Sequence, residues 1–150
     1  MNGVEFIVYG TPAPQGSKKP MGLRRTKSGK QVSILVESSK LVKPWREAVM
    51  LAWYELRNTG RVQGIMGPVN VEIVFYLHKV KNPKHPLWPV SRRDGDIDKL
   101  RRATYDALTK AGAIEDDCFV VLESGGKVYA GSLPYGLQQP GATIKIRRAG

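Results

Sequence analysis

Acidic side chains gather in one part of a strongly basic chain. The sequence has 24 Lys and Arg against 13 Asp and Glu, a formal net charge of +11. Seven of the acids nevertheless lie between Arg92 and Val121: Asp94, Asp96, Asp98, Asp106, Glu115, Asp116 and Asp117. Carboxylates hold hard divalent ions such as Mg²⁺, which keep several waters and also take phosphate oxygens. We therefore interpret three of these carboxylates as a divalent-metal site within a surface that binds nucleic acid.

One helix divides these acids into two groups. Apolar residues at three- and four-residue spacing predict an amphipathic helix from Ile97 to Ala111, with Asp96 at its N-cap and Gly112 at its C-cap. The pair Asp116-Asp117 follows in the turn before a short strand. About fifteen helical residues span about 22 Å. The start of that strand, or a neighbouring chain segment, must therefore bring the second group to the first.

A second interpretation of the acids at the start of the helix is that they only stabilise the helix. Carboxylates in a first turn complement the helix dipole, a contribution of about 0.3–1 kcal/mol each. This does not account for Asp116 and Asp117, because negative charge is unfavourable beyond a helix C-terminus. A calcium-binding EF-hand loop is excluded, since Lys99 stands at the required glycine and Tyr105 at the bidentate glutamate.

The spacing of the acids resembles that of the RusA family of Holliday junction resolvases. The shared pattern is Asp-x-Asp-x-Leu at 96–100, then Asp106-Ala-Leu, then Asp116-Asp117 before a β-branched strand. The resemblance implies that Asp96, Asp98 and Asp117 bind Mg²⁺, with Mn²⁺ as a second candidate. It also implies a homodimer that nicks a four-way DNA junction symmetrically and leaves 5′-phosphate ends.

The chain departs from the family pattern at two positions. The family has Asn after the second Asp, where this chain has Lys99, and its catalytic Lys is replaced here by Arg102. Both changes keep or add positive charge. We therefore expect Arg102 to steady the charge that develops on the phosphate, although a role that needs a deprotonatable amine would be lost.

The basic residues predict a polyanionic partner. Two stretches without acids, 16–30 and 79–93, carry cations ahead of the motif region 94–121 in the sequence. Each phosphate that is neutralised adds roughly 0.9 to the salt slope of DNA binding. Branched DNA is the expected partner, with no membrane and no small-molecule substrate. The expected DNA contacts are Lys18, Lys19, Arg24, Arg25, Lys27, Lys30, Arg92, Arg93, Lys99 and Arg101.

The elements predict a single α+β domain over residues 1–150, with a mixed or antiparallel sheet and two main helices in the order β-(β)-α-β-α-β-β. Strands are expected at 4–9, 31–36, 68–78, 118–122, 128–130 and 142–148. A hairpin turn is expected at 124–127. The first helix is expected to begin at Ser38-Ser39, with Trp45 and Trp53 as core or dimer-interface anchors.

Three smaller expectations complete the sequence interpretation. Glu72 is read as a surface residue rather than a fourth metal ligand, and Cys118 as a buried strand residue. Trp88 is expected to pack under its loop rather than enter DNA. A single cysteine, no apolar run near 18 residues and no leader favour a bacterial cytoplasmic protein, of host or phage origin.

Two other functions stay open at this point. A non-catalytic protein that binds branched DNA is supported by Lys99 and Arg102, where the motif is altered. A ribonuclease or a less selective nuclease would use the same metal site on another substrate.

Overall fold

The computed structural model describes residues 3–16 and 30–150, with residues 30–39 described by their backbone. Its strands are β1 (Gly3–Tyr9), β2 (Val69–Leu77), β3 (Val120–Tyr129) and β4 (Gly141–Arg148), and its helices are α1 (Lys30–Arg57) and α2 (Ile97–Ala111). Two 3₁₀ turns, Arg92–Asp94 and Asp117–Phe119, flank α2. The predicted α+β domain with one mixed sheet and two main helices is confirmed for this part of the chain.

The sheet has the strand order β1-β4-β2-β3. Strand β4 is antiparallel to β1 and to β2, whereas β2 and β3 are parallel and are connected through α2. A crossover helix of this kind runs back antiparallel to the strands that it connects. The N-terminus of α2 therefore lies at the edge where β2 ends, and its C-terminus at the edge where β3 begins.

Two tryptophans of α1 lie buried in the core over one face of the sheet. Trp45 and Trp53 are 1% and 0% exposed, among alternate buried residues of β2 such as Ile73. Trp45 Nε1 donates a hydrogen bond to Thr104 Oγ1 at 3.1 Å, and Thr104 Oγ1 donates to the Leu100 carbonyl at 2.9 Å. Both tryptophans are thus core anchors, and Trp45 also fixes the helix that carries the acids.

The predicted strand at 31–36 is wrong. Helix α1 begins at Lys30 and continues through Ser38-Ser39 and Pro44 to Arg57. The β-branched residues of 31–36 favour a strand by only a fraction of a kcal/mol each, which continuity with the long helix outweighs. Pro44 removes one backbone donor, but its fixed φ of about −65° is compatible with a helix.

The predicted hairpin at 124–127 is also wrong, because β3 is one continuous strand parallel to β2. Gly125 pairs with Ile73 and has a φ of 109°. A Cβ at Gly125 would lie 1.8 Å from the Ile73 carbonyl oxygen, whereas nothing lies within 4 Å of a Cβ at Gly126. Gly125 therefore permits close approach of two strands rather than a turn.

The strand predicted at 118–122 begins later and is more exposed than expected. Cys118 lies in the 3₁₀ turn before β3 and is exposed. Val121 and Leu122 are 55% and 57% exposed. Leu122 pairs with Asn70, on the face of the sheet away from the helices. An apolar run at an edge strand is therefore not a sign of burial here.

Substitution of the neighbouring glycines Gly125 and Gly126 tests whether β3 runs parallel to β2 as one strand. Gly125→Ala is expected to lower the free energy of unfolding by about 2–4 kcal/mol, because the new methyl group overlaps the β2 backbone at a positive φ. Gly126→Ala is the matched control and is expected to change it by less than about 1 kcal/mol. Urea denaturation measures both, and equal effects would contradict the parallel pairing.

Candidate metal and DNA site

The basic loop, residues 79–93 after β2, folds over the end of the sheet where the two parallel strands finish. Ala130 N donates to the Leu77 carbonyl at 2.8 Å, and Tyr129 N donates to the Leu87 carbonyl at 3.1 Å. These bonds tie the loop to the end of β3. The carboxyl edge of parallel strands is the usual place for ligands in α/β sheets, and α2 begins at the same edge.

The turn before α2 is held by specific contacts. Asp94 Oδ2 accepts hydrogen bonds from Ser91 N at 3.2 Å and from Ser91 Oγ at 2.9 Å. Gly95 has a φ of 90°, and a Cβ there would lie 2.7 Å from Pro14 Cγ. Gln15 N donates to the Lys99 carbonyl at 3.1 Å. The Asp94 carboxylate thus stabilises the turn. Pro14 and Gln15 contact the start of α2.

Asp96 and Asp98 present their carboxylates outward at this start. Asp96 is the N-cap of α2 but makes no side-chain capping bond, and its side chain is 67% exposed. Asp98 in the first turn is exposed and has no hydrogen bond or ion pair among the described residues. Helix capping therefore does not explain Asp96. Two such carboxylates fit a hard cation that completes its shell with waters and phosphate oxygens.

Asp117 lies at the other end of α2. Its Oδ1 accepts a hydrogen bond from Thr109 Oγ1 at 3.0 Å, in the last turn of the helix. Thr109 is 13 positions after Asp96 in the chain, so α2 separates the two carboxylates by about 20 Å. Over residues 3–16 and 40–150, no three His, Cys, Asp or Glu side chains form a group that could hold a metal ion. The start of β3 does not close the gap within one chain.

The cations near Asp96 have different partners. Lys99 Nζ is 3.7 Å from Asp96 Oδ2, so this chain places an ammonium beside a candidate ligand. Arg101 Nη1 is 3.4 Å from Glu123 Oε2, and its side chain is 15% exposed. Arg102 is exposed on the helix, and Arg92 and Arg93 are exposed in the turn before Asp94. Of the predicted DNA contacts, Arg101 is therefore turned towards β3 rather than solvent.

The remaining predicted DNA contacts belong to the segment 16–30. Lys18, Lys19, Arg24, Arg25 and Lys27 lie outside the described residues, and Lys30 is the first residue of α1, described by its backbone. The segment follows Gln15, whose amide is bonded to the Lys99 carbonyl. The basic segment 16–30 therefore begins next to the start of α2.

Glu72 and Trp88 are both candidate site residues from the sequence. Glu72 Oε2 is 3.7 Å from Lys145 Nζ, on the face of the sheet away from the helices. Trp88 is 45% exposed, and its ring centroid is 6.3 Å from that of His85. Glu72 therefore stands as an ion-paired surface residue, and Trp88 is only partly covered by its loop.

Sequence reasoning missed two polar residues of β3 that face α2. Glu123 accepts a hydrogen bond from the Tyr105 hydroxyl, and burial, followed by this bond, raises the pKa of Tyr105 above its ordinary value. Lys127 Nζ donates to the Gly95 carbonyl at 2.8 Å. Alternation along 123–127 would have placed both residues on one face, but the predicted hairpin interrupted that pattern.

The family described as Endodeoxyribonuclease RusA matches residues 16–147. The chain belongs to the RusA family. It is therefore an endodeoxyribonuclease of the kind that resolves Holliday junctions, a family in which cutting depends on a divalent metal. A separate comparison with curated proteins found no match.

The RusA assignment agrees with a chain whose partner is DNA. No helix in the described residues has the length and apolar character needed to cross a membrane. Arg92 and Arg93 are exposed and shortly precede the exposed acids Asp96 and Asp98 in the chain.

The ion pair at Asp96 gives a prediction for metal binding. Lys99→Asn removes the ammonium that competes with a cation for Asp96 Oδ2. An exposed pair of this kind contributes about 0.2–1 kcal/mol, so Mn²⁺ affinity is expected to rise by up to about fivefold. Titration followed by electron paramagnetic resonance measures it.

Lys43→Asn removes the same charge from an exposed position on α1 and controls for net charge. Equal gains in the two variants, or no gain in Lys99→Asn, would show that Lys99 does not oppose the metal.

Proposed function

We propose that this protein is a Mg²⁺-dependent resolvase that cuts four-way DNA junctions as a homodimer, with Asp96, Asp98 and Asp117 as metal ligands. The observation that carries the proposal is the pair of outward-facing carboxylates of Asp96 and Asp98 beside the basic loop, in a chain of the RusA family. Mn²⁺ has the same preference for carboxylate and water ligands and is a second candidate. The whole chain, residues 1–150, acts as one endonuclease domain.

The third carboxylate comes from the partner copy in this proposal. Asp117 is held at the C-terminal end of α2 by Thr109, so it cannot reach Asp96 of its own chain without unfolding the turn. In a two-fold dimer each residue contact occurs twice. If the two α2 helices lie antiparallel, the partner subunit's Asp117 meets Asp96 and Asp98, and the reverse contact forms the second site.

This arrangement ties cutting to dimerisation. A single copy offers two carboxylates at one end of α2 and one at the other, so it holds no complete site. The dimer forms two sites related by the same two-fold axis that relates the strands of a four-way junction. Paired symmetric nicks follow from that geometry.

The residues around the acids have separate tasks. Arg92, Arg93 and Lys99 bring positive charge to the scissile phosphate, and the free amides at the start of α2 favour an anion. Arg102, one turn after Asp98, stabilises the charge that develops on the phosphate during attack. The divalent ion, when bound, supplies Lewis-acid activation of the phosphodiester and of the attacking water.

A non-catalytic protein that binds branched DNA is the second candidate. It is favoured by Lys99, whose ammonium lies 3.7 Å from Asp96 Oδ2, in the position of an internal counter-ion. Such a protein would use the basic loop and the start of α2 for phosphate contacts and would need no metal.

Cleavage of a labelled four-way junction, beside a linear duplex of the same sequence, tests the proposal. We expect paired nicks in the junction with Mg²⁺ and none with EDTA. Asp96→Asn is expected to lose cleavage by at least about a hundredfold while it keeps or gains junction affinity, because a carboxylate that repels phosphate is removed.

Asp106→Asn changes an acid of the same helix outside the proposed ligand set, and it is expected to keep cleavage. Cleavage that persists in Asp96→Asn, Asp98→Asn and Asp117→Asn would show that the metal site lies elsewhere. Tight, salt-sensitive binding without nicks in the unmodified protein would favour the second candidate.

A further inference from the structure

The half-buried side chain of Lys127 reaches the loop that carries the acids. Lys127 pairs with Phe75 in the parallel strands, and Phe75 is fully buried under the helices. Because paired residues of neighbouring strands point to the same face, Lys127 points towards the side of the sheet where α2 lies. Its Nζ donates a hydrogen bond to the Gly95 carbonyl at 2.8 Å. This bond joins β3 to the peptide directly before Asp96.

The backbone at Gly95 depends on contacts of this kind. Gly95 has a φ of 90° and a ψ of 151°, a conformation that glycine adopts readily and other residues do not. A glycine can also turn to many other conformations, so the direction of the next residue is not fixed locally. Gly95 N donates to the Arg92 carbonyl at 3.2 Å, and Lys127 fixes the carbonyl on the other side of the residue.

Asp96 gains its orientation from that peptide. Its carboxylate makes no capping bond to α2, and its only ion pair among the described residues is the one to Lys99. The side chain is therefore aimed by its own backbone more than by hydrogen bonds at its end. A lysine ammonium is a compact charge with three donors, suited to hold one carbonyl oxygen firmly.

We propose that Lys127 is a positioning residue of the metal site: its ammonium holds the Gly95 carbonyl so that the Asp96 carboxylate faces the cation and the scissile phosphate. The inference rests on the function proposed above. Lys127 also brings a primary ammonium from β3 to the site. Helix α2 of this chain has Arg102 where the RusA family has lysine. Groups that orient a metal ligand typically change metal affinity or activity by 10- to 100-fold when they are removed.

Mn²⁺ binding to the full-length protein without DNA tests this role. Lys127→Met is expected to bind Mn²⁺ roughly tenfold more weakly than the unmodified protein. Its junction affinity in EDTA is expected to stay within about twofold, because only one half-buried charge, bonded to a backbone carbonyl, is lost. In cleavage, kcat is expected to fall at limiting Mn²⁺ and to recover in part when the ion is raised, with KM for the junction unchanged.

Two further variants separate positioning from charge. Lys127→Arg keeps a donor at the Gly95 carbonyl and is expected to retain most of the Mn²⁺ affinity. Lys145→Met removes the same charge from the opposite face of the sheet, where Lys145 pairs with Glu72, and is expected to bind Mn²⁺ as the unmodified protein does. Circular dichroism checks each fold, and Lys127→Gln, with the same expectation, replaces Lys127→Met if that variant does not fold.

Three results would overturn the inference. They are unchanged Mn²⁺ affinity in the neutral Lys127 variant, an equal loss in Lys145→Met, and a loss of junction affinity that accounts for all of the lost activity. The resolvase proposal fails separately, if the unmodified protein binds Mn²⁺ through Asp96 but cuts no junction. The comparison of Mn²⁺ affinities would still decide the role of Lys127.

Discussion

The parallel pairing of β2 with β3 determines where each acid of the site can lie. Parallel neighbours need a crossover, and here the crossover helix is α2. The helix begins where β2 ends and finishes where β3 begins, so Asp96 and Asp117 are held at opposite edges of the sheet. The Trp45–Thr104 hydrogen bond fixes α2 against α1, and the Thr109–Asp117 bond fixes the turn after it. Moving either end towards the other would break these bonds and the packing around them.

The same constraint gives the two ends of α2 different surroundings. At its start, the basic loop, Pro14 and Lys127 surround a turn whose next residue is Asp96. At its end, Asp117 is bonded to Thr109, away from that loop. A metal site that needs acids from both ends is therefore incomplete in one copy. In the proposed dimer, a second copy related by a two-fold axis would supply the missing acid, which would link catalysis to the symmetry of the substrate.

The sequence predicted those parts of the fold that local signals determine. The helix 97–111 was predicted with both caps, because its apolar period, Asp96 and Gly112 are all local features. The course of β3 was not predicted, because Gly125 and Gly126 are residues typical of a turn. In the structure, Gly125 is required by the close approach of its backbone to Ile73. The strand expected at 31–36 failed for a related reason, since a short β-prone run does not reveal the helix that it joins.

The same division holds for the site. The types and spacing of Asp96, Asp98 and Asp117 identified the family, which the match to residues 16–147 confirms. Their separation by α2 followed from the predicted helix length, but the contact from Lys127 arises from tertiary packing between residues 32 positions apart. No pattern within a short window contains that information.

The most direct test of the central claim is to mix two inactive variants. Asp96→Asn and Asp117→Asn are each expected to be inactive alone. A mixed dimer would have one site with the intact Asp96 and Asp98 of one copy and the intact Asp117 of the other. If the site is shared between copies, unfolding and refolding the two together restores Mg²⁺-dependent nicking of one junction strand. If each copy builds its site from its own residues, the mixture stays as inactive as its components, and the shared site is contradicted.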